Sequence, residues 1–134
     1  MALTAGTPLL FDVGPAGNLN AQFVKNAAQI WRGSAVGLTG GYARALVAGD
    51  TFAGFSEQDA LGAGSDGAVT VPVIATGRVQ VAVTGASVTS TGQNVYASDD
   101  GTFTLTSSGN SLVGMVYRFV TGTTCIVAFD VTNQ

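Results

Sequence analysis

The amino-acid sequence predicts an all-β fold, a small antiparallel β-barrel or β-sandwich with an extended N-terminal arm. Three observations carry that prediction. From Val69 to Asp130 short alternating apolar runs are cut by Gly-containing turns, the pattern of half-buried strands joined by hairpins. The two stretches with helical character are weak: Asn20–Gln29 is too short to stand alone, and Ser56–Leu61 runs at once into GAGSDG. Finally, Gly6, Pro8, Gly14, Pro15 and Gly17 punctuate the start of the chain and discourage regular structure there.

Taken in order, residues 1–29 read as an arm carrying the apolar anchors Leu9, Leu10, Phe11 and Phe23. Within it NAQFVKNAAQ has the composition of a turn or two of helix. Residues 30–134 form the β-domain. IWRGSAVGLTGG reads as a strand and a Gly-rich turn, and YARALVAGDTFAGFS as one or two further strands. Ser56–Leu61 opens with a Ser-x-x-Asp pattern resembling a helix cap, but the Gly-rich stretch behind it makes a strand end entering a flexible loop the better reading. That loop, Gly62–Gly67, is the expected site of disorder within the body of the chain. Pro72 has no N–H to donate, which places its strand at an edge or a bulge.

In RVQVAVT, Val79, Val81 and Val83 share one face of a strand, and Arg78, Gln80, Ala82 and Thr84 share the other. Asp99-Asp100-Gly101 marks a hairpin between NVYAS and TFTLT, with glycine expected at positive φ. Thr121-Gly122 turns the strand Leu112–Val120 back into Thr124–Asp130. Strict alternation along Leu112–Val120 sets Val113, Met115, Tyr117 and Phe119 on one face, and Leu112, Val116 and Val120 on the other. Both faces are apolar, so the strand is expected to be central or to form an interface.

Composition narrows the function. At 134 residues the chain is one domain, long enough to bury a core without metal or disulfide staples. Charged residues make up 10%, well below the ~25% usual in globular domains, while mean hydropathy is +0.39. A surface so thinly charged is poorly protected against association, and a homo-oligomer or larger assembly would cover it. The net charge is −3, and Lys25, Arg32, Arg44, Arg78 and Arg118 are scattered singly, so no basic stripe exists to follow a nucleic-acid backbone. No apolar run reaches the ~20 residues that span a bilayer. The N-terminal stretch lacks a cationic segment and is broken by Asp12, which makes it a poor signal peptide.

Catalytic and metal-binding constellations are not legible. Without histidine the usual general base and commonest zinc ligand are missing. Cys125 lies mid-strand as a buried, inert thiol. Glu57 with Asp59, and Asp99 with Asp100, read as solvated loop carboxylates and not as a glycosidase pair. Asp66, Asp99 and Asp100 lack the spacing of a calcium loop, and Gly37–Gly41 is not followed by the GK[ST] and helix of a phosphate loop. Trp31 and Tyr42 could line a groove, with core or interface packing the commoner fate. No catalytic residue, cofactor or metal ligand is assigned; the candidate interaction residues are Leu9, Leu10, Phe11, Phe23 and Trp31.

The order of segments carries a resemblance. An apolar arm leads to I-x-x-G-S-x-V (Ile30–Val36), then A-x-x-F-x-G-F (Ala48–Phe55) and V-x-V-x-x-x-G-R-V-x-V-x-V-x-G (Val71–Gly85). T-x-G-Q-N-V-Y-A-S-D-D-G-T-F-T (Thr89–Thr104) and G-N-S-L-V-G-M-V (Gly109–Val116) follow. This pattern resembles the capsid cement, or head decoration, proteins of tailed bacteriophages over roughly Ile30 to Phe129. The resemblance implies a β-barrel or β-sandwich protein, often a homotrimer, made in the host cytoplasm. It would bind major capsid protein on the outside of an icosahedral shell and brace it, with no enzymatic role. A virion-displayed adhesion or carbohydrate-binding module, or another phage head or tail structural protein, is the alternative reading.

Overall fold

The computed structural model describes residues 2–6, 9–11 and 19–131. The fold is all-β and mostly antiparallel, with a small five-stranded barrel, in agreement with the periodicity. The strands are β1 (Leu10–Phe11), β2 (Leu19–Phe23), β3 (Gln29–Ile30), β4 (Ala35–Thr39), β5 (Tyr42–Ala45), β6 (Thr51–Ser56) and β7 (Ala60–Leu61). They continue with β8 (Thr70–Ile74), β9 (Thr76–Thr84), β10 (Asn94–Ala97), β11 (Phe103–Thr104), β12 (Ser111–Thr121) and β13 (Thr124–Asp130). A 3₁₀ turn, Val88–Ser90, separates β9 from β10.

The barrel runs β9-β11-β10-β12-β13 and closes where β13 pairs with β9, from Thr124 opposite Ala82 to Asp130 opposite Thr76. Only the short β11–β9 contact is parallel. The far edge of β9 is shared: β11 pairs with Val83 and Thr84, and β1 pairs antiparallel with Val79 and Gln80. Val79, Val81 and Val83 point inward, as their spacing predicts, and pack with Val95, Val113, Val116, Cys125, Val127 and Phe129. Gly122 at φ +60 turns β12 into β13.

Two β-bulges re-aim side chains that simple alternation misplaces. On β12, Val95 faces Gly114 while Tyr96 faces Leu112, so Val113 is an extra residue in the ladder. Val113 and Val116 therefore both point inward, and Leu112, Met115 and Tyr117 stand outside, which corrects the two faces read from sequence. On β6, Val36 faces Gly54 while Gly37 faces Phe52, leaving Ala53 as the extra residue. Phe52 and Phe55 consequently share a face three positions apart. Gly54 adopts φ +125, and a Cβ there would run into the Ile74 carbonyl oxygen.

The second sheet has the order β2-β8-β6-β4-β5. Its middle strand β6 is buried from Phe52 to Ser56, because this sheet lies between two cores. Ala35, Phe52, Phe55 and Ile74 pack against the barrel. Val36, Ala53, Val71 and Val73 form the other core with Val24, Ile30 and Ala43. Phe55 joins the two sheets: its ring lies 5.4 Å from Phe52, 5.9 Å from Phe103 and 4.9 Å from Phe129, within the range of favourable edge-to-face contacts.

Several local expectations are revised. Residues 19–24, read as arm with a helical stretch, instead form β2, laddered along β8 from Leu19–Ile74 to Phe23–Thr70. Val24 just beyond is fully buried. Pro72 sits inside the sheet opposite Ala21, with its carbonyl accepting from Glu57 N–H. Its missing N–H therefore faces the space past the end of β6, and no ladder bond is lost. The Gly62–Gly67 loop is tied down: Gly62 N–H donates to Ala28 C=O, Gly67 N–H to Val24 C=O, and Asn26 N–H to the Asp66 carboxylate. Gly101 is not at positive φ; its N–H donates to Asp99 Oδ1 at 2.9 Å, an Asx-type closure of the turn. Pro8 and the Gly14–Gly17 punctuation of the arm lie outside the described residues.

Candidate interaction surface

No group of three or more Cys, Asp and Glu side chains gathers into a metal-binding cluster among the described residues, and none of their helices is long and apolar enough to cross a membrane. Cys125 is buried in the barrel, where burial pushes its thiol pKa up and favours the unreactive protonated form. Glu57 and Asp59 are exposed, and Asp59 Oδ1 accepts from Arg32 N–H. The chemistry that remains is that of surfaces.

The barrel carries the first surface. Leu112, Met115 and Tyr117 are 42%, 43% and 49% exposed on a strand hydrogen-bonded along both edges. They stand outward because the Val113 bulge turns the intervening residues into the core. Leu112 and Met115 flank a shallow trough of about 630 Å³, floored by Gly77, Gly114 and Ala128. Gly114 is required by closeness: a Cβ would meet the Ala128 carbonyl oxygen of β13. Beside the trough, the Arg78 guanidinium lies 4.5 Å from the Tyr117 ring centroid, a cation–π contact that holds both side chains flat on the barrel wall.

The second surface belongs to β2. Leu19 and Phe23 are 51% and 57% exposed, and with Ala21 they form one outward-facing row, since alternate residues share a face. Nearby, Gly67 lies against both Tyr42 and Phe23, so these two aromatics sit side by side.

The N-terminal residues are docked on the barrel. Leu9 packs on the barrel core, and the backbone of Leu10 and Phe11 pairs with β9. Leu3 N–H donates to Asp100 Oδ1 at 3.0 Å. Burial pushes the Asp100 carboxyl pKa up; the Leu3 hydrogen bond opposes this, and the Asp99 charge adds to it. A cleft of about 180 Å³ lies between Leu3, Leu9, Gly33 and Phe103.

Of the residues singled out from sequence, Phe23 is open to solvent, Leu9 is mostly covered by the chain itself, and Trp31 is half-buried in a turn closed by Ser34 N–H. The side chains of Leu10 and Phe11 lie outside the described residues. Phe23 lies on the second sheet and Leu9 packs on the barrel core, so these residues do not form one patch. Leu112, Met115 and Tyr117 were not singled out, because in an all-apolar strand only the bulge decides which side chains reach solvent.

One polar feature braces the second sheet from within. Arg44 grips Asp50 with Nε–Oδ2 at 2.9 Å and Nη2–Oδ1 at 2.8 Å, and Val47 N–H adds a third donor. Burial alone would raise the Asp50 pKa; the Arg44 and Val47 hydrogen bonds and the Arg44 charge carry it below the usual carboxylate range. Gly37 makes room for this bridge, since a Cβ there would lie 2.5 Å from Asp50 Oδ2. The Gly-rich stretch is thus structural, and Gly40 and Gly41 at φ +58 and +87 form the two-residue turn between β4 and β5.

Comparison of the chain with family models, curated proteins and solved structures gives no match.

Proposed function

We propose that the protein is a structural component of a tailed-phage head that binds the outer surface of the capsid shell and stabilises it. Its partner on this reading is the major capsid protein, and its place is the virion exterior. The observation that carries the reading is an exposed apolar face, Leu112, Met115 and Tyr117, on a rigid barrel in a chain with only 10% charged residues. Contiguous exposed apolar side chains mark sites of protein contact, and covering them contributes about 25 cal/mol per Å² of apolar surface. The resemblance of the Gly/Val pattern to that of cement proteins supports the same reading.

The test is to mix the full chain with expanded empty shells of the phage that encodes it and measure bound copies by sedimentation and electron microscopy. Binding is expected to saturate at a number fixed by shell symmetry and to raise the temperature at which shells break. The Leu112→Lys, Met115→Lys double variant is expected to keep its circular dichroism spectrum and lose about tenfold or more in affinity. Absence of binding at micromolar concentration overturns the proposal. Undiminished binding by the double variant removes the barrel face as the contact.

A further inference from the structure

We infer that the groove seating the N-terminal residues also takes the same segment of a second copy, so that copies are joined by exchanging arms. The groove is built from both parts of the fold. Leu3 N–H donates to Asp100 Oδ1 in the turn between β10 and β11. Gly6 lies against the corner where Arg32 N–H meets Asp59, so close that a Cβ there would stand 2.8 Å from Asp59 Oδ1. Leu9 packs on the barrel core, and Leu10 and Phe11 pair antiparallel with Gln80 and Val79 of β9. The segment is therefore read in a fixed direction and register.

It is nonetheless lightly held. Ala2, Thr4, Ala5 and Gly6 are exposed, and Leu3 and Leu9 are only half-buried. The ladder with β9 is two residues long, against the ~5–6 of an ordinary strand. Such a segment opens at a small part of the cost of unfolding the barrel behind it. The groove left behind is not neutral, because the far edge of β9 loses its partner at Val79 and Gln80, and an unpaired edge recruits another strand. The strand that fits is the one the structure already shows there.

A second copy's segment makes the same hydrogen bonds and the same Leu9 contact, so exchange trades like for like and is opposed only by the freedom lost on association. Each arm that crosses leaves its own groove empty, and reciprocal exchange fills both. No charged residue within Ala2–Gly6 or Leu9–Phe11 keeps two arms apart. The arm belongs to the barrel sheet through β1 and joins β2 of the second sheet through residues 12–18, where Gly14, Pro15 and Gly17 are residue types suited to a change of chain direction. Within one chain the segment is tethered beside its groove, so exchange depends on concentration.

Cross-linking in the full chain tests this, and no shell is needed, so the outcome is separate from the capsid reading. A chain carrying both Leu10→Cys and Gln80→Cys should close a disulfide within one copy in dilute solution, because directly opposed Cα atoms lie ~4.5–5.5 Å apart, within disulfide reach. Copies carrying Leu10→Cys alone are then mixed with copies carrying Gln80→Cys alone, at about millimolar concentration to match a tethered segment, and oxidised. A mixed disulfide dimer of twice 13.4 kDa is expected, with a yield that falls on dilution. Adding Leu9→Asp to the Leu10→Cys copy removes the apolar anchor and is expected to lower that yield about tenfold. If Leu9→Asp unfolds the chain, Gly6→Val, which meets Asp59 away from the core, makes the same test. Absence of the mixed dimer, or a mixed dimer indifferent to these variants, overturns the inference. So does a double-cysteine chain that fails to close on itself, since the β1–β9 pairing then fails.

Discussion

The barrel and the second sheet solve the same problem differently. Every strand of the barrel has neighbours on both sides, because β13 returns to β9. In the second sheet the ends β2 and β5 meet where Val24 bridges Ala43 and Lys25 N–H donates to Ala43 C=O, which brings β5 alongside Phe23; among the described residues no strand pairs with Leu19–Gln22 on that side. Closure removes the edges through which strands aggregate, so the barrel can do without surface charge, and what it offers a partner is the side chains on its wall. The second sheet offers backbone. A chain so poor in charge therefore has two distinct ways of meeting protein, one apolar and one through hydrogen bonds.

Substitutions that break this contrast differ in size. The largest effect is expected for Phe55→Ala, whose ring touches both sheets; loss of a buried phenyl costs about 3–5 kcal/mol. Urea unfolding followed by two probes, Trp31 fluorescence and far-ultraviolet circular dichroism, should lose that stability in a single transition. Separate transitions would mean that the sheets fold independently. Next is Gly114→Ala, which forces β12 from β13 at the Ala128 carbonyl and is expected to cost about 3 kcal/mol, with the barrel amides exchanging faster while those of β4 and β5 keep their protection.

Two carboxylates with shifted pKa values, the half-buried Asp50 and Asp100, which is buried and not solvated as its place in a turn suggested, sharpen the contrast with opposite signs. Asp50, in the second sheet, has its pKa lowered through Arg44 and Val47 against the cost of burial. Its contribution is present above the ordinary carboxylate value and is lost as pH falls through the lowered one. Asp50→Asn should therefore cost about 1 kcal/mol at neutral pH and nothing in strong acid. Asp100, against the barrel, has its pKa raised chiefly by burial. The fold favours its protonated form, so stability declines as pH rises from the ordinary value through the raised one. Asp100→Asn keeps an oxygen for Leu3 N–H and removes the buried charge. It is expected to stabilise by up to about 1 kcal/mol at neutral pH, the smallest of these effects, and to flatten that slope in pH-dependent melting.

The strands from β9 onward were legible because valines two apart leave little choice of face, as Val79, Val81 and Val83 show. Gly122 announced its turn for the same kind of local reason. What stayed hidden depends on partners far along the chain. Leu19-Asn20-Ala21-Gln22-Phe23 contains no β-branched residue, and alanine, leucine and glutamine favour helix; only pairing with Thr70–Ile74 makes it a strand. The bulges at Ala53 and Val113 reverse faces without any local marker beyond the neighbouring Gly54 and Gly114. The exposed trio on β12 was hidden for that reason, whereas Phe23, in a polar stretch, was visible as an anchor.

Hydrogen exchange of individual amides tests the contrast most directly. The amides of Val81 and Val127 in the closed barrel should be strongly protected, and that of Ala21 should exchange as an open-edge group. Strong protection of Ala21 would mean that the edge is closed within the single chain, and would contradict the account.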